Sequence, residues 1–169
     1  MDLDYSTKAQ LEIRLYQKVK NMKDLKRKLT KGQLKCCIIK PSLIYDPFQV
    51  VVAANKALTA EKLTTKTIFT EILFNLSISK HITKSLQTFS VGDDDENLLV
   101  VTLADGDDGE DESIYNAIDG EEVELSNLRS FSDMNEIKKV YKISEKETLN
   151  VPFVDSIVSR IATKDFLSH

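Results

Sequence analysis

The run Asp46-Pro47-Phe48-Gln49-Val50-Val51-Val52-Ala53-Ala54-Asn55-Lys56-Ala57 commits the middle of the chain to a helix and obliges the rest to cover it. Asp46 is a good N-cap, Pro47 suits the first helical position, and Gln49 stands where a capping-box partner reaches back. At about 100° per residue, Phe48, Val51, Val52 and Leu58 share one face, with Asn55 near its middle. An amide inside an apolar stripe needs a partner. Either it ties the helix to a neighbouring backbone, or, beside Lys56, it meets a ligand or a partner. The helix is expected to extend from Asp46 to Leu63.

Around it the pattern predicts a small sheet. Leu11, Ile13 and Leu15 alternate with Glu12, Arg14 and Tyr16, as in a strand with one buried face, while Cys36 to Ile39 and Asn97 to Leu103 read as buried strands, the second central. Further helices are expected after Asn21, carrying Met22, Leu25 and Leu29 and ending at Gly32, and over Thr65 to Leu76. Others should follow Ser79 to near Gly92, span Ile114 to Ile118, and run from Asp133, where Glu136 completes a capping box, to Tyr141. Asn150-Val151-Pro152 opens a last helix with Val154, Ile157, Val158 and Ile161 on one stripe, before a tail over 163–169. The expected fold class is α/β in the broad sense (α+β): one domain over 1–169, a small central sheet surrounded by helices. With 41% hydrophobic residues in 169, one core is the natural outcome.

A net charge of −4 hides a division. Residues 1–90 hold 16 Lys/Arg against 7 Asp/Glu, and the remainder holds 7 against 20. From Lys18 to Lys35 eight basic residues face the single acid Asp24. That run reads as a solvated helix face or as a surface for phosphates. The acidic stretch from Asp105 to Glu112 reads as a solvated loop. No apolar run approaches a membrane span, and the start Met-Asp-Leu-Asp-Tyr lacks a signal peptide's pattern, which places the expected location in cytoplasm and nucleus.

Chemistry is sparse. None of the five glycines builds a phosphate loop, and the two histidines, His81 and His169, have no Cys or His at ligand spacing. Cys36 and Cys37 are adjacent, so a strand points them to opposite faces and neither a disulfide nor a zinc site is expected. No cofactor and no metal are expected. Binding has more support: at the end of the last helix Arg160, Lys164, Phe166 and Leu167 emerge, and two bulky apolar residues in a tail dock either on the chain itself or in a partner's groove.

The block from Ile44-Tyr45-Asp46-Pro47 to Lys56-Ala57, the segment Lys66-Thr67-Ile68-Phe69-Thr70-Glu71-Ile72-Leu73-Phe74-Asn75-Leu76-Ser77 and the ending Ile161-Ala162-Thr163-Lys164-Asp165-Phe166-Leu167 resemble the PRPK-binding protein (TPRKB) family, whose members are subunits of the KEOPS complex. The resemblance implies a non-catalytic subunit that grips the N-lobe of the small atypical kinase PRPK, meets the other KEOPS subunits through it, and helps capture the CCA end of tRNA for threonylcarbamoyladenosine modification. It puts kinase binding on Ile157, Arg160, Ile161, Phe166 and Leu167, and tRNA binding on Asn55, Lys56, Lys62, Lys66 and Lys84. Where archaeal relatives often show Gly-x-Arg-Gln-Ile, this chain has Ser79-Lys80-His81-Ile82. The alternatives are a small metabolic enzyme with a site assembled from scattered residues, signalled by a deep pocket of convergent carboxylates, and a protein adaptor without RNA contact.

Overall fold

A computed structural model describes residues 9–105 and 112–166. Four antiparallel strands, β1 (Ala9–Gln17), β2 (Cys37–Ile39), β3 (Leu98–Asp105) and β4 (Glu121–Val123), form one sheet in the order β2-β3-β1-β4. With helices on both of its faces, this is the α+β class that the sequence indicates. β3 is interior, as its apolar run requires. Its register sets Leu99 between Leu15 and Ile39, and Val101 between Ile13 and Cys37, so the inward residues form continuous rows across three strands.

Each face is covered by helices because β2 and β3 are apolar on both sides. Leu15, Cys37, Ile39, Leu99 and Val101 join the larger core with α2 (Pro47–Thr59), α3 (Ile68–Leu76), α6 (Met134–Tyr141) and α8 (Phe153–Ala162). On the other face Tyr16, Cys36, Ile38, Leu98 and Val100 pack with α1 (Met22–Thr30) and α5 (Glu112–Asn116). The adjacent cysteines therefore do face opposite cores, both buried.

Several local expectations are corrected. The helix after Asp46 stops at Thr59 rather than Leu63. α4 (Ile82–Phe89) is capped not by Ser79 but by His81, whose Nδ1 accepts from Lys84 N at 3.1 Å, while Ser79 Oγ accepts from His81 N. Asn21 precedes α1 without capping it, because its amide is spent on Ala117 O (2.7 Å) and Asp119 N (3.0 Å), tying α1 to the turn after α5. α1 ends at Thr30 and is closed, as expected, by Gly32, whose φ of +72° suits glycine. β4, the 3-10 stretch Leu125–Phe131 and α7 (Glu145–Asn150) have no counterpart in the sequence reading. Within the expected tail, Lys164–Phe166 form a 3-10 turn; Leu167, and residues 106–111 of the acidic loop, lie outside the described residues.

Candidate interaction surfaces

The largest correction concerns α2. Its core side is Gln49, Val50, Ala53, Ala54 and Ala57; Phe48 is 52% exposed, and Val51, Val52 and Asn55 are only half-buried. The helix is apolar nearly all round, so periodicity offers two stripes, and the alanine stripe is the one that lets α3 and α8 approach closely. The buried amide is Gln49, fully enclosed: its Nε2 donates to Leu43 O (3.1 Å) and Tyr141 Oη (2.8 Å), and its Oε1 accepts from Tyr45 N (3.0 Å). Tyr141 Oη in turn donates to Leu76 O, and burial pushes this phenol well above its ordinary range. Gln49 thus links α2, α6 and the end of α3, and does not close a capping box. Asp46 caps alone, accepting from Phe48 N at 2.9 Å. Asn55 accepts at its backbone carbonyl from Thr59 Oγ1, and its side chain makes no hydrogen bond among the described residues.

α2 and α8 run side by side in the same direction. Tyr45, just ahead of α2, meets Phe153 at the start of α8 edge-on with centroids 4.8 Å apart, and Lys56 in the last turn of α2 donates to Ile161 O near the end of α8 at 2.8 Å. Ile157 and Ile161, two residues expected at the kinase surface, are fully enclosed in the core between them. Arg160 is held on α7: its guanidinium grips Glu147 through Nη1 at 2.6 Å and Nη2 at 2.8 Å and reaches Lys142 O at 3.2 Å. That fork pulls the Glu147 carboxyl down to about 2.

The tail turn is pinned by two lysines. Lys56, a residue expected at the RNA, bonds Ile161 O and lies 3.3 Å from Asp165, which engages it with the tail. Lys164 is 1% exposed; its ammonium sits 3.4 Å from the centroid of the Phe74 ring and donates to Phe74 O in the last turn of α3. Burial, reinforced by the charge of Lys56, lowers Lys164 to about 7, against the opposing pull of Asp165 and Glu71; Lys80 lowers it further. Beyond these anchors Phe166 is 85% exposed. A buried lysine was not legible: in the sequence it is one more cation in a polar ending.

Lys62, Lys66 and Lys84 are exposed, and no carboxylate lies within 4.0 Å of any of them among the described residues. The first two stand on a braced connection. Glu71, 4% exposed, accepts from Thr64 N, Thr65 N and Thr65 Oγ1, each at 2.9 Å, and Thr67 and Thr70 form a reciprocal capping box at the start of α3. Asn75, also buried, donates to Ala53 O at 3.1 Å and fastens α3 to α2. The Thr-Thr-Lys-Thr run before a helix with an acid in its first turn was the available signal for this loop.

Among the described residues no cluster of three His, Cys, Asp or Glu side chains could hold a metal. Two surface openings, about 100 Å³ beside Lys40, Asp95 and Glu96 and about 280 Å³ beside Tyr45, Pro47 and Arg129, are small and open to solvent. In the second, Arg129 lies over the Tyr45 ring at 3.6 Å and donates to Tyr45 O, an arrangement that braces the entry to α2.

Residues 16–165 match the family described as kinase binding protein CGI-121. The chain is 31% identical over 155 residues to the EKC/KEOPS complex subunit TPRKB of Danio rerio, covering 89% of each protein. It is 27% identical over 173 residues to the EKC/KEOPS complex subunit cgi121 of Aspergillus fumigatus, covering 90% of each.

Proposed function

The chain belongs to the CGI-121 family of kinase-binding proteins, and from that premise we propose that it is a non-catalytic subunit of a KEOPS complex, binding and regulating the atypical kinase PRPK through its N-lobe. In this reading it helps bring tRNA, by its CCA end, to the complex for threonylcarbamoyladenosine modification, and works in the cytoplasm and nucleus as one domain. The observation that carries the kinase half is Phe166: a large apolar side chain left 85% exposed on a turn whose two preceding residues are each tied to the body, one by burial and one by an ion pair. Ordering the turn in the free protein removes part of the entropic cost of presenting that ring. Arg160 of α8 is held in one position by Glu147. Ile157 and Ile161 support the surface from beneath.

The test is a pull-down and affinity measurement with a PRPK-type kinase. Phe166→Ala should cost about 2 kcal/mol, roughly thirtyfold in Kd, with an unchanged circular dichroism spectrum. Undiminished affinity would reject the tail as the docking element. For the RNA half, exposed Lys62, Lys66 and Lys84 give cations without competing carboxylates. Replacing all three by Gln should weaken tRNA binding and flatten its salt dependence while sparing the kinase. Should the wild-type protein, alone and with the kinase, not bind tRNA, the adaptor without RNA contact is the correct reading.

A further inference from the structure

The eight basic residues between Lys18 and Lys35 have no role in the reading above, and the fold separates them from the lysines that do. α1 covers the sheet face opposite to α2, α3 and α8, with Met22 and Leu25 buried against Tyr16, Val19, Leu98, Val100 and Ile114. With those residues inward, Lys23, Arg27 and Lys31 recur every four positions on the outward side, about 6 Å apart along the axis, and Lys20 precedes them just ahead of the helix.

The acids present do not cancel this lane. Asp24, the one acid in the run, is shared by Arg27 and Lys28; Lys26 pairs with Asp93 at 3.1 Å and Lys18 with Glu121 at 3.9 Å. Lys20, Lys23, Lys31 and Lys35 are exposed and have no carboxylate within 4.0 Å among the described residues. Helix stability does not account for Lys20 and Lys23 either. Cations are favourable in a last turn, which covers Arg27 and Lys28, but Lys20 and Lys23 stand at the N-terminal end, where the helix dipole opposes positive charge.

The lane continues around the sheet. Lys31 and Lys35 lead into β2, which is an edge strand, and α4 ends against that strand: Lys40 N donates to Phe89 O at 2.8 Å, and Ile39 bridges Ser90. The β2 edge therefore lies between the α1 lysines on one face and Lys84 of α4 on the other. Acids stand at both ends of this path: Asp93 pairs with Lys26 and Asp95 lies 3.9 Å from Lys40 at the end of β2, while at the opposite edge Glu12 and Glu122 flank Arg14 and Glu121 meets Lys18 beside β4; Lys20, Lys23, Lys31 and Lys35 stay outside all of these pairs.

We propose that the outward face of α1, through Lys20, Lys23, Lys31 and Lys35, is a second RNA-backbone contact surface, joined around the β2 edge to the lysines that receive the RNA in the reading above, on which this inference rests. A nucleic-acid strand carries on the order of one charge per 3.4 Å, so cations about 6 Å apart meet roughly every second phosphate without reading sequence. A membrane is the less suitable anionic partner. The apolar side of α1 is already in the core, which leaves nothing to insert beneath the headgroups.

The experiment measures binding of the full-length protein to tRNA across a potassium chloride series for wild type, Lys23→Gln/Lys31→Gln, and Lys62→Gln/Lys66→Gln. Both replaced α1 side chains are solvent-exposed, so the fold is retained, which the thermal melt checks. Loss of two phosphate contacts should reduce the slope of log K against log salt by about 1.5 and lower affinity similarly for unrelated RNA sequences. An unchanged slope for the α1 variant alongside a reduced one for Lys62→Gln/Lys66→Gln overturns this inference and leaves the RNA reading intact. No tRNA binding by wild type overturns both. If vesicles of phosphatidylcholine and phosphatidylserine distinguish wild type from the α1 variant and tRNA does not, the surface is a membrane contact and the inference is wrong.

Discussion

Lys164 makes the fold's stability depend on pH in a direction opposite to that of most of its other perturbed groups. Its ammonium is enclosed with one carbonyl acceptor and an aromatic face, and its proton is held at about 7 in the folded chain against an ordinary value of 10.5. Between those values the unfolded chain binds the proton and the folded chain does not, so stability rises with pH. Buried Cys36, raised to about 12, and Cys37 and Tyr141, raised further by burial, act the other way: their unfolded forms lose protons first, and stability falls once pH passes about 9. The clean window is therefore pH 7.0 to 8.5. One proton with these two affinities contributes roughly 1.5 kcal/mol of added stability across it, at about 1.36 kcal/mol per unit when fully linked. Urea denaturation at half-unit steps, comparing wild type with Lys164→Met, checks this. Met fills similar volume without a proton, so the rise should vanish in the variant. Parallel profiles for the two proteins would show that Lys164 keeps its charge in the fold, its carbonyl and ring sufficing, and the reasoning from desolvation would be refuted.

Other consequences are equally direct. Tyr141→Phe leaves a Gln49 N–H and Leu76 O without their partner in the core and should cost about 1–3 kcal/mol by denaturant titration. Ile157→Glu puts a carboxylate into a fully enclosed site; a loss on the order of 4 kcal/mol should appear as a collapsed melt, whereas a native melt with lost kinase binding would place Ile157 at the interface after all. Lys56→Met removes the tie to Ile161 O and Asp165, so it should speed hydrogen exchange at Phe166 N–H and weaken kinase binding more than it weakens tRNA binding. The reverse order would return Lys56 to the RNA site.

What could be read from the sequence was whatever is encoded locally. Strands β1 and β3, helices α1, α3 and α6, and the cap at Asp46 each rest on alternation, capping residues or a terminal glycine within a few positions. What failed was information held by distant neighbours. Asn21 and Ser79 have the chemistry of caps, but Asn21 is claimed by Ala117 and Asp119, ninety-odd residues away, and the cap at α4 falls to His81. β4 is three residues long with both glutamates outward, so it has no apolar pattern of its own and exists by pairing with Leu15 to Gln17.

The same distinction explains the candidate sites. For α2, composition gave a helix but not its rotation, because valine and alanine faces compete and only the closeness of α3 and α8 selects alanine. That rotation leaves Phe48 exposed and Asn55 half-buried and brings Lys56 against the end of α8, where it anchors the tail. That an aromatic follows the end of α8 was legible; its exposure and the anchoring of the turn were not, since Lys164 and Asp165 look alike as polar residues until Phe74 and Lys56 are placed beside them. Function here depends on which side of a helix a lysine occupies. The proposed phosphate binding by Lys62, Lys66 and the exposed lysines around α1 rests on their lack of carboxylate partners among the described residues, and the proposed tail presentation by Lys56 on its having one.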